Sequence, residues 1–316
     1  MTREHDPDYE RAEMAAREKC YDEAIAIYRK MIVRHPEEDS LKMSLAWVLR
    51  DSGRTGEAIE VFLHLFEREL ARDVFTGFAF DELVRIFREK ADFAGIVNIC
   101  ERAVAVWPHD KSLLFTLGDS YQGAGRFADA AGIFEKLTER EPDAPAYFSR
   151  LGNALVAAGE FDRAEKTYEK AIEIDPEGAA SYYNGLGNAF VEAKELGRAV
   201  AAYRKSILRH GNQPLVYCNL GDVYVKEGRI AEAEEAYEEA IRVDPGRKAA
   251  YYNRLGNTLA KSGRNGDAVR IFRKAIAEDP DNPFLYVFLA QVFLAEGRHE
   301  EAREAYLTAT TLGAEF

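Results

Sequence analysis

The feature that most constrains the fold is a nine-residue stretch that returns along the chain at nearly constant intervals. Tyr182 opens the fullest copy, Tyr-Tyr-Asn-Gly-Leu-Gly-Asn-Ala-Phe. Related stretches begin at Tyr147, 35 residues upstream, at Tyr251, 69 residues downstream, and at Tyr217 between them. A period of 34 or 35 residues indicates an array of repeats that pack against their neighbours.

Two sequence marks fix the register of the array. The first is a Leu-Gly-like pair early in each repeat. The second is an Ala followed four residues later by an aromatic residue. Only the third repeat, with Ile96 and Cys100, lacks the second mark. A Pro often follows twelve residues after the Ala and marks a boundary, because Pro cannot continue a helix. In this register nine repeats start near residues 5, 39, 77, 111, 145, 180, 214, 249 and 283.

Each repeat is predicted to be a helix, a tight turn and a second helix. Tyr183, Leu186 and Phe190 are spaced i, i+3 and i+7, which places them on one helix face. The eighth position of a repeat is small, as at Gly187, which lets the two helices approach closely. The fifteenth position is Gly in six repeats, where a left-handed conformation can end the first helix: Gly53, Gly125, Gly159, Gly228, Gly263 and Gly297.

This pattern resembles the tetratricopeptide repeat family. The resemblance implies an all-α fold, a right-handed α-α superhelix (solenoid) of about nine helix-turn-helix repeats, with a concave inner groove. In the sixth repeat the matching residues are Tyr183, Leu186, Gly187, Phe190, Ala199 and Tyr203, and Gly211 stands where the family has Pro.

The interval between the second and third repeats is 38 residues, an insertion of four near residues 70–76. We expect an irregular joint there, dividing the array into residues 1–76, two repeats of which the first is a degenerate cap, and residues 77–316, seven further repeats. Arg11 and Ala15 replace the expected Leu and aromatic residue in that cap. A longer loop without consequence is the alternative.

Composition and charge exclude several classes of protein. The net charge of -13, with Lys and Arg scattered among carboxylates, lacks the basic surface of a nucleic-acid-binding protein. No apolar run approaches the ~18 residues of a membrane span, and residues 1–13 are too charged for a signal peptide. We therefore expect a cytoplasmic protein that binds neither nucleic acid nor membrane. Three cysteines far apart in sequence favour neither a disulfide framework nor a zinc site.

Motifs of catalysis are not found in the sequence. The six histidines are widely separated, and no phosphate-binding loop, HExxH motif or nucleophile elbow occurs. Runs of carboxylates on amphipathic helices are usually solvated faces. We expect no enzyme activity, no cofactor and no metal site.

The informative surface is the predicted inner one, formed by positions two, five, six, nine and twelve of the first helices. In the first three repeats these positions carry a mixed charged patch: Trp47, Arg50, Asp81, Glu82, Arg85 and Arg88. In the fifth to eighth repeats they carry the candidate peptide-binding residues Arg150, Asn153, Asn184, Asn188, Asn219, Asp222, Arg254 and Asn257. Cys218, at a fifth position, is expected to project into the same groove.

Amides and guanidinium groups suit a peptide ligand. A primary amide is both donor and acceptor, so a row of Asn can pair with the backbone of an extended peptide, and Arg can bind its carboxylates. The row is similar to the Asn-lined grooves of tetratricopeptide proteins and partly to their carboxylate clamp, although Asn184 and Ala250 stand at the two Lys positions of the clamp. The alternative is that each Asn only bonds to a neighbouring helix.

The sequence thus predicts a non-enzymatic protein–protein interaction module that binds an extended segment of a partner, as an adaptor, assembly factor or co-chaperone. The alternative function is a self-associating scaffold that uses repeat ends or the convex face, with a homo-oligomer formed through the C-terminal repeat. The residues that would carry self-association are Phe284, Val287, Phe288, Leu294, Leu307 and Leu312.

Overall fold

A computed structural model describes residues 6–314, and within that range the chain forms eighteen α-helices and no β-strand. The predicted start of the first repeat near residue 5, and the outer ends of the ranges 1–76 and 77–316, lie outside the described residues. The helices follow one another in pairs: α1 (Pro7–Arg17) and α2 (Tyr21–Arg34), α3 (Asp39–Asp51) and α4 (Thr55–Arg72), α5 (Phe78–Glu89) and α6 (Phe93–Val106), α7 (Lys111–Gly123) and α8 (Phe127–Arg140), α9 (Pro145–Ala157) and α10 (Phe161–Ile174), α11 (Ala179–Glu192) and α12 (Leu196–Arg209), α13 (Pro214–Lys226) and α14 (Ile230–Val243), α15 (Lys248–Lys261) and α16 (Asn265–Glu278), and α17 (Pro283–Ala295) and α18 (His299–Thr311).

The nine pairs confirm the predicted all-α repeat fold. From the second repeat onwards, every predicted start lies within one residue of the first residue of an odd-numbered helix. In the described part of the chain, no helix is both long and apolar enough to cross a membrane.

The turn inside each repeat is left-handed at the fifteenth position in all nine pairs. The six predicted glycines have φ between +72° and +83°, and Lys19, Ala91 and Lys194 adopt the same region in the other three repeats, with φ of 61°, 53° and 64°. After Lys194 the Glu195 amide donates to the Phe190 carbonyl at 2.8 Å, which closes the end of α11. The turn is therefore conserved in geometry even where its residue is not Gly.

The two helices of a repeat touch at the eighth position. A Cβ atom added at Gly152 or Gly187 would lie 2.5 Å from the ring of Tyr168 or Tyr203, and one at Gly221 would lie 2.7 Å from Tyr237. Real Cβ atoms do not approach so closely, so the predicted role of a small residue here is confirmed.

Contacts divide the chain into two compact units, residues 1–137 and 138–316, with the boundary inside α8. In unit 1 the four-residue insertion is accommodated mainly by helix: α4 has 18 residues, whereas α2 and α6 have 14 each. The chain then passes through left-handed conformations at Asp73 (φ 52°) and Gly77 (φ 81°) before α5. An irregular joint that divides the array at residue 76 remains a prediction.

In unit 2 the first helices of several neighbouring repeats contact one another directly, as α9 does α11, and α13 does α15. Each second helix packs against its own first helix and against the first helix of the next repeat, as α12 packs on α11 and α13. The aromatic residues of the second mark, such as Tyr168, Tyr203 and Phe272, are buried between the helices. This packing leaves one side of the first helices open, and that side carries the candidate site.

Candidate functional site

The eight predicted site residues lie on consecutive first helices of unit 2, and we call their surface the Asn face. They are distributed as Arg150 and Asn153 on α9, Asn184 and Asn188 on α11, Asn219 and Asp222 on α13, and Arg254 and Asn257 on α15. Asn188 and Arg150 are exposed, and the other six are half-buried.

Three residues at the ninth position of a repeat bond to a tyrosine of their own second helix. The Tyr168 hydroxyl donates to Asn153 Oδ1 at 2.7 Å, and the Tyr203 hydroxyl donates to Asn188 Oδ1 at 2.7 Å. Tyr237 donates to Asp222 Oδ1 at 2.6 Å in the same way. The close approach at the glycines brings each phenol to the open surface of the first helix.

Burial keeps these phenols protonated. It raises the pKa of Tyr168 and Tyr203 above the ordinary value of 10.0. For Tyr237, burial and then the Asp222 carboxylate raise the pKa in the same direction. Each hydroxyl therefore carries its proton near neutral pH and can donate to the residue at the ninth position.

A second set of bonds joins three repeats along the Asn face. Arg254 Nη2 donates to Asn219 Oδ1 at 2.8 Å, and Asn219 Nδ2 donates to Asn184 Oδ1 at 3.1 Å. Arg254 also contacts Asp222 Oδ2 through Nη2 at 2.6 Å and Nε at 3.1 Å. Thr258 Oγ1 donates to the other Asp222 oxygen at 2.9 Å.

The charge of Arg254 is balanced within the protein. Burial lowers the pKa of its guanidinium group, but the interactions with Asp222, Tyr237 and Cys218 together outweigh burial, and the pKa lies above its ordinary value. The predicted ligand role of Arg254 must therefore be shared with its bond to Asp222. The Arg150 side chain is exposed.

The eighth repeat differs because Phe272 replaces the tyrosine. Without a phenol to bond, Asn257 donates its Nδ2 to Asn253 Oδ1 on the same helix, at 3.0 Å. Both residues line a hollow of about 680 Å³ with Lys261, Phe288 and other residues of α13, α15 and α17. The sequence analysis did not single out Asn253 and assigned Phe288 to the C-terminal apolar patch, and the Phe at position 272 was the only signal that this repeat is different.

The predicted projection of Cys218 into the groove is wrong. Cys218 is fully buried, close to Tyr251 and Arg254 of α15, and burial raises its thiol pKa to about 12.

The alternative that each Asn bonds only to a neighbouring helix accounts for the Oδ1 atoms of Asn153 and Asn188. Within residues 6–314, Nδ2 of these two side chains makes no hydrogen bond to the protein.

Unit 1 carries a different surface. Arg50 and Arg85 both bond to Glu82, at 2.8 and 2.5 Å, which forms part of the predicted charged patch. Trp47 is 40% exposed and belongs instead to an apolar hollow of about 570 Å³, whose other apolar lining is Tyr9, Met43, Leu65, Val74 and Phe78. Val74 comes from the insertion, so the only sequence signal of this hollow was the irregular spacing.

No group of metal-ligating side chains occurs among the residues that the structure describes.

Solved structures similar to this chain are tetratricopeptide proteins or have related folds. A crystal structure of MamA is 27% identical, with a TM-score of 0.37, and covers 52% of this chain and 95% of its own. YrrB, described as a TPR protein with an unusual peptide-binding site, is 23% identical, with a TM-score of 0.37, and covers 57% and 92%. A tetratricopeptide repeat protein from Parabacteroides merdae is 18% identical, with a TM-score of 0.43, and covers 75% and 94%.

Family models give the clearer result. Comparison with curated proteins found no significant match. A tetratricopeptide repeat model matches residues 9–65, and a model of the C-terminal domain of cilia and flagella-associated protein 70 matches residues 79–315. Since the second match spans well over half of a chain built of nine helix pairs, the chain belongs to the tetratricopeptide repeat family represented by the C-terminal domain of cilia and flagella-associated protein 70.

Proposed function

We propose that this chain is a non-enzymatic protein–protein interaction module whose Asn face binds an extended peptide segment of a partner. The observation that carries the proposal is the state of Asn153 and Asn188: each amide oxygen is occupied by a buried phenol, and each Nδ2 remains to donate outwards. An extended peptide offers backbone carbonyls to such donors whatever its side chains.

Charge favours an acidic segment. The charge of Arg254 is offset by Asp222, but Lys226 at the end of α13 and Lys261 at the end of α15 are exposed. A carboxylate of the ligand would gain more from these groups than a neutral side chain, and the gain should fall with salt. A cytoplasmic adaptor, assembly factor or co-chaperone is the role that such a face would serve.

The test uses a twelve-residue peptide selected from a random phage-displayed library on the full wild-type chain. We expect Arg254→Ala to weaken binding more than Asn188→Ala, because a hydrogen bond to a charged group contributes ~1.5–3 kcal/mol and a neutral one ~0.5–1.5 kcal/mol. Only the arginine effect should diminish at high salt. Lys166→Ala, on the second helix α10, is the control and should bind normally. An Asn188/Arg254 double alanine variant that binds as tightly as wild type would contradict the proposal.

A second candidate function, self-association, has one observation in its favour. Leu294 and Leu307 are 45% and 57% exposed and line a hollow of about 590 Å³ with Ala302 and Tyr306. Phe288, which the sequence analysis placed in the same patch, instead stacks on Phe272 at 6.1 Å. If self-association is functional, light scattering should show a mass that rises with concentration, and Leu307→Glu should return it to one chain. A wild type that stays monomeric at high concentration removes this candidate.

A further inference from the structure

The ninth position of the repeats contains two kinds of Asn, and the second helix decides which kind. In the fifth and sixth repeats a buried phenol donates to Oδ1 of Asn153 or Asn188. In the eighth repeat Phe272 has no hydroxyl, and Asn257 Nδ2 donates to Asn253 Oδ1. No donor among residues 6–314 reaches Oδ1 of Asn257. The same residue type is thus bonded in different ways.

An Asn side chain can exchange its two polar atoms by a half-turn of the amide group. A buried phenol that keeps its proton holds the oxygen, so the amide of Asn153 or Asn188 can offer only N–H outwards. At Asn257 the bond joins two amides, and a half-turn of both reverses it, so this amide can offer either its oxygen or its N–H outwards.

The Tyr168–Asn153 and Tyr203–Asn188 pairs also form part of one surface. Position 185 of α11 faces the Tyr168–Asn153 pair, since a Cβ atom added to Gly185 would lie 3.5 Å from the Tyr168 hydroxyl. Electrostatic interaction of Tyr203 with Asp222 and Arg254 places the sixth-repeat pair beside the bonded network of the seventh and eighth repeats. A ligand that follows the first helices from α9 to α15 would meet two fixed donors first and an amide without a fixed sense last.

We propose that Tyr168, Tyr203 and Phe272 act as positioning residues of the Asn face: the two phenols fix donors at Asn153 and Asn188, and Phe272 leaves the amide of Asn257 without a fixed sense. This inference rests on the proposed peptide-binding function and defines the ligand further. The segment must present backbone carbonyls to α9 and α11, and can present either a carbonyl or an N–H to α15. Pro keeps its carbonyl but has no N–H, so Pro is accepted opposite Asn153 and Asn188.

The experiment measures affinity for the selected twelve-residue peptide in single variants. Tyr203→Phe keeps the ring that packs on Gly187 but releases the amide of Asn188, and we expect binding to weaken by up to about twofold, because a released amide presents its N–H outwards only about half of the time. In an Asn188→Ala background the same change should have no further effect, because its action passes through that amide. Tyr237→Phe is the matched control, since its hydroxyl bonds to a carboxylate whose two oxygens are equivalent.

Phe272→Tyr tests the eighth repeat in the opposite direction. The new hydroxyl would donate to the Asn257 oxygen, so the Asn257 side chain should take the same sense as Asn188 and its side-chain amide NMR signals should move. Side-chain amide NMR signals of the free protein supply a readout that needs no ligand: the Asn188 signals should move in Tyr203→Phe and stay in place in Tyr237→Phe.

The results separate this inference from the proposed function. If Asn188→Ala weakens binding but Tyr203→Phe neither weakens it nor moves the Asn188 amide signals, the positioning role is wrong and the peptide-binding function stands. If no peptide can be selected, or Asn153→Ala and Asn188→Ala both bind as wild type, the peptide-binding function fails. If the Asn257 amide signals stay in place in Phe272→Tyr, the second helix does not set the sense of the ninth position and the positioning role is wrong.

Discussion

The second repeat in unit 1 and the sixth repeat in unit 2 have the same framework and opposite surfaces. Both have a small residue at the eighth position, Ala46 or Gly187, and a buried aromatic residue on the second helix. At the ninth position, however, the second repeat has Trp47, which lines an apolar hollow, and the sixth has Asn188, which bonds to Tyr203. The framework and the surface are therefore set by different residues.

This difference explains how one repeat can carry unrelated binding surfaces. The close contact of the two helices depends on the eighth position and on the volume of the aromatic ring, which Phe and Tyr share. The single hydroxyl that distinguishes Tyr from Phe alters what the ninth position presents outwards without altering the packing. In unit 1 the inserted residues add a further apolar wall at Val74.

The largest expected effect is a difference between the units at alkaline pH. Burial raises the pKa of six tyrosines of unit 2, two of them to about 12, and of Tyr121 in unit 1 to about 12: the six are Tyr168, Tyr182, Tyr203, Tyr237, Tyr251 and Tyr252. Because the folded pKa lies above the unfolded value of 10.0, the stability that these phenols contribute is complete below pH 10 and is lost as the pH rises through about 12.

Unit 2 should therefore unfold first when the pH is raised across that window. Limited proteolysis by a protease active at alkaline pH, with the cut sites mapped by mass spectrometry, should show early cuts within residues 138–316. Tyr252→Phe should shift the onset to higher pH, because Phe has no proton to lose. Cuts that begin in residues 1–137 would count against this difference.

The next effect concerns the helix contact itself. In Gly187→Leu the new side chain must occupy space held by the Tyr203 ring, and such overpacking costs typically ~1–3 kcal/mol. Gly185→Ala on the same helix is the control: its Cβ would lie 3.5 Å from the nearest atom, and replacing a helical Gly by Ala should stabilise by ~0.5–1 kcal/mol.

Hydrogen exchange should locate the damage in Gly187→Leu. Repeats contact only their neighbours, so we expect protection to fall first around residues 145–245 and to be retained in unit 1. A uniform loss of protection along the chain would mean that the two units share one cooperative transition.

A smaller loss is expected at the bonded network of the seventh and eighth repeats. Asp222→Ala removes the acceptor of Tyr237, Thr258 and Arg254, and leaves the half-buried Arg254 without its carboxylate. A hydrogen bond to a charged group contributes ~1.5–3 kcal/mol, and partial exposure places the expected loss near ~2 kcal/mol. Urea unfolding measures it. Asp222→Asn should recover part of the loss, and equal losses in both variants would show that the charge, not the hydrogen bonding, matters.

The sequence predicted the fold to within one residue at most repeat starts, because the small, aromatic and glycine positions recur with a fixed period and act locally. It predicted which residues lie on the Asn face for the same reason. It did not predict the hydrogen bonds of these residues. Tyr203 and Asn188 are 15 positions apart, and Arg254 and Asp222 are 32 positions apart, so only the packing of the helices brings each pair together. It also misplaced Cys218, because burial beneath α15 cannot be read from a position within α13.

The smallest expected effect is at the left-handed turn, which the two units share. Lys194 in unit 2 and Ala91 in unit 1 occupy it with φ of 64° and 53°, a conformation that costs a residue with a Cβ roughly 1–2 kcal/mol. Glycine avoids that cost, but it raises the conformational entropy of the unfolded chain, which destabilises the folded state by ~0.4–1 kcal/mol. Lys194→Gly and Ala91→Gly should therefore each stabilise the folded protein by about 0.5–1 kcal/mol. Ala193→Gly, one residue earlier at φ -74°, gains nothing from glycine and should destabilise instead. Thermal unfolding of the four proteins, wild type included, decides the matter. If Lys194→Gly stabilises and Ala91→Gly does not, the turn is under strain in the regular repeats of unit 2 and relaxed in the irregular third repeat of unit 1.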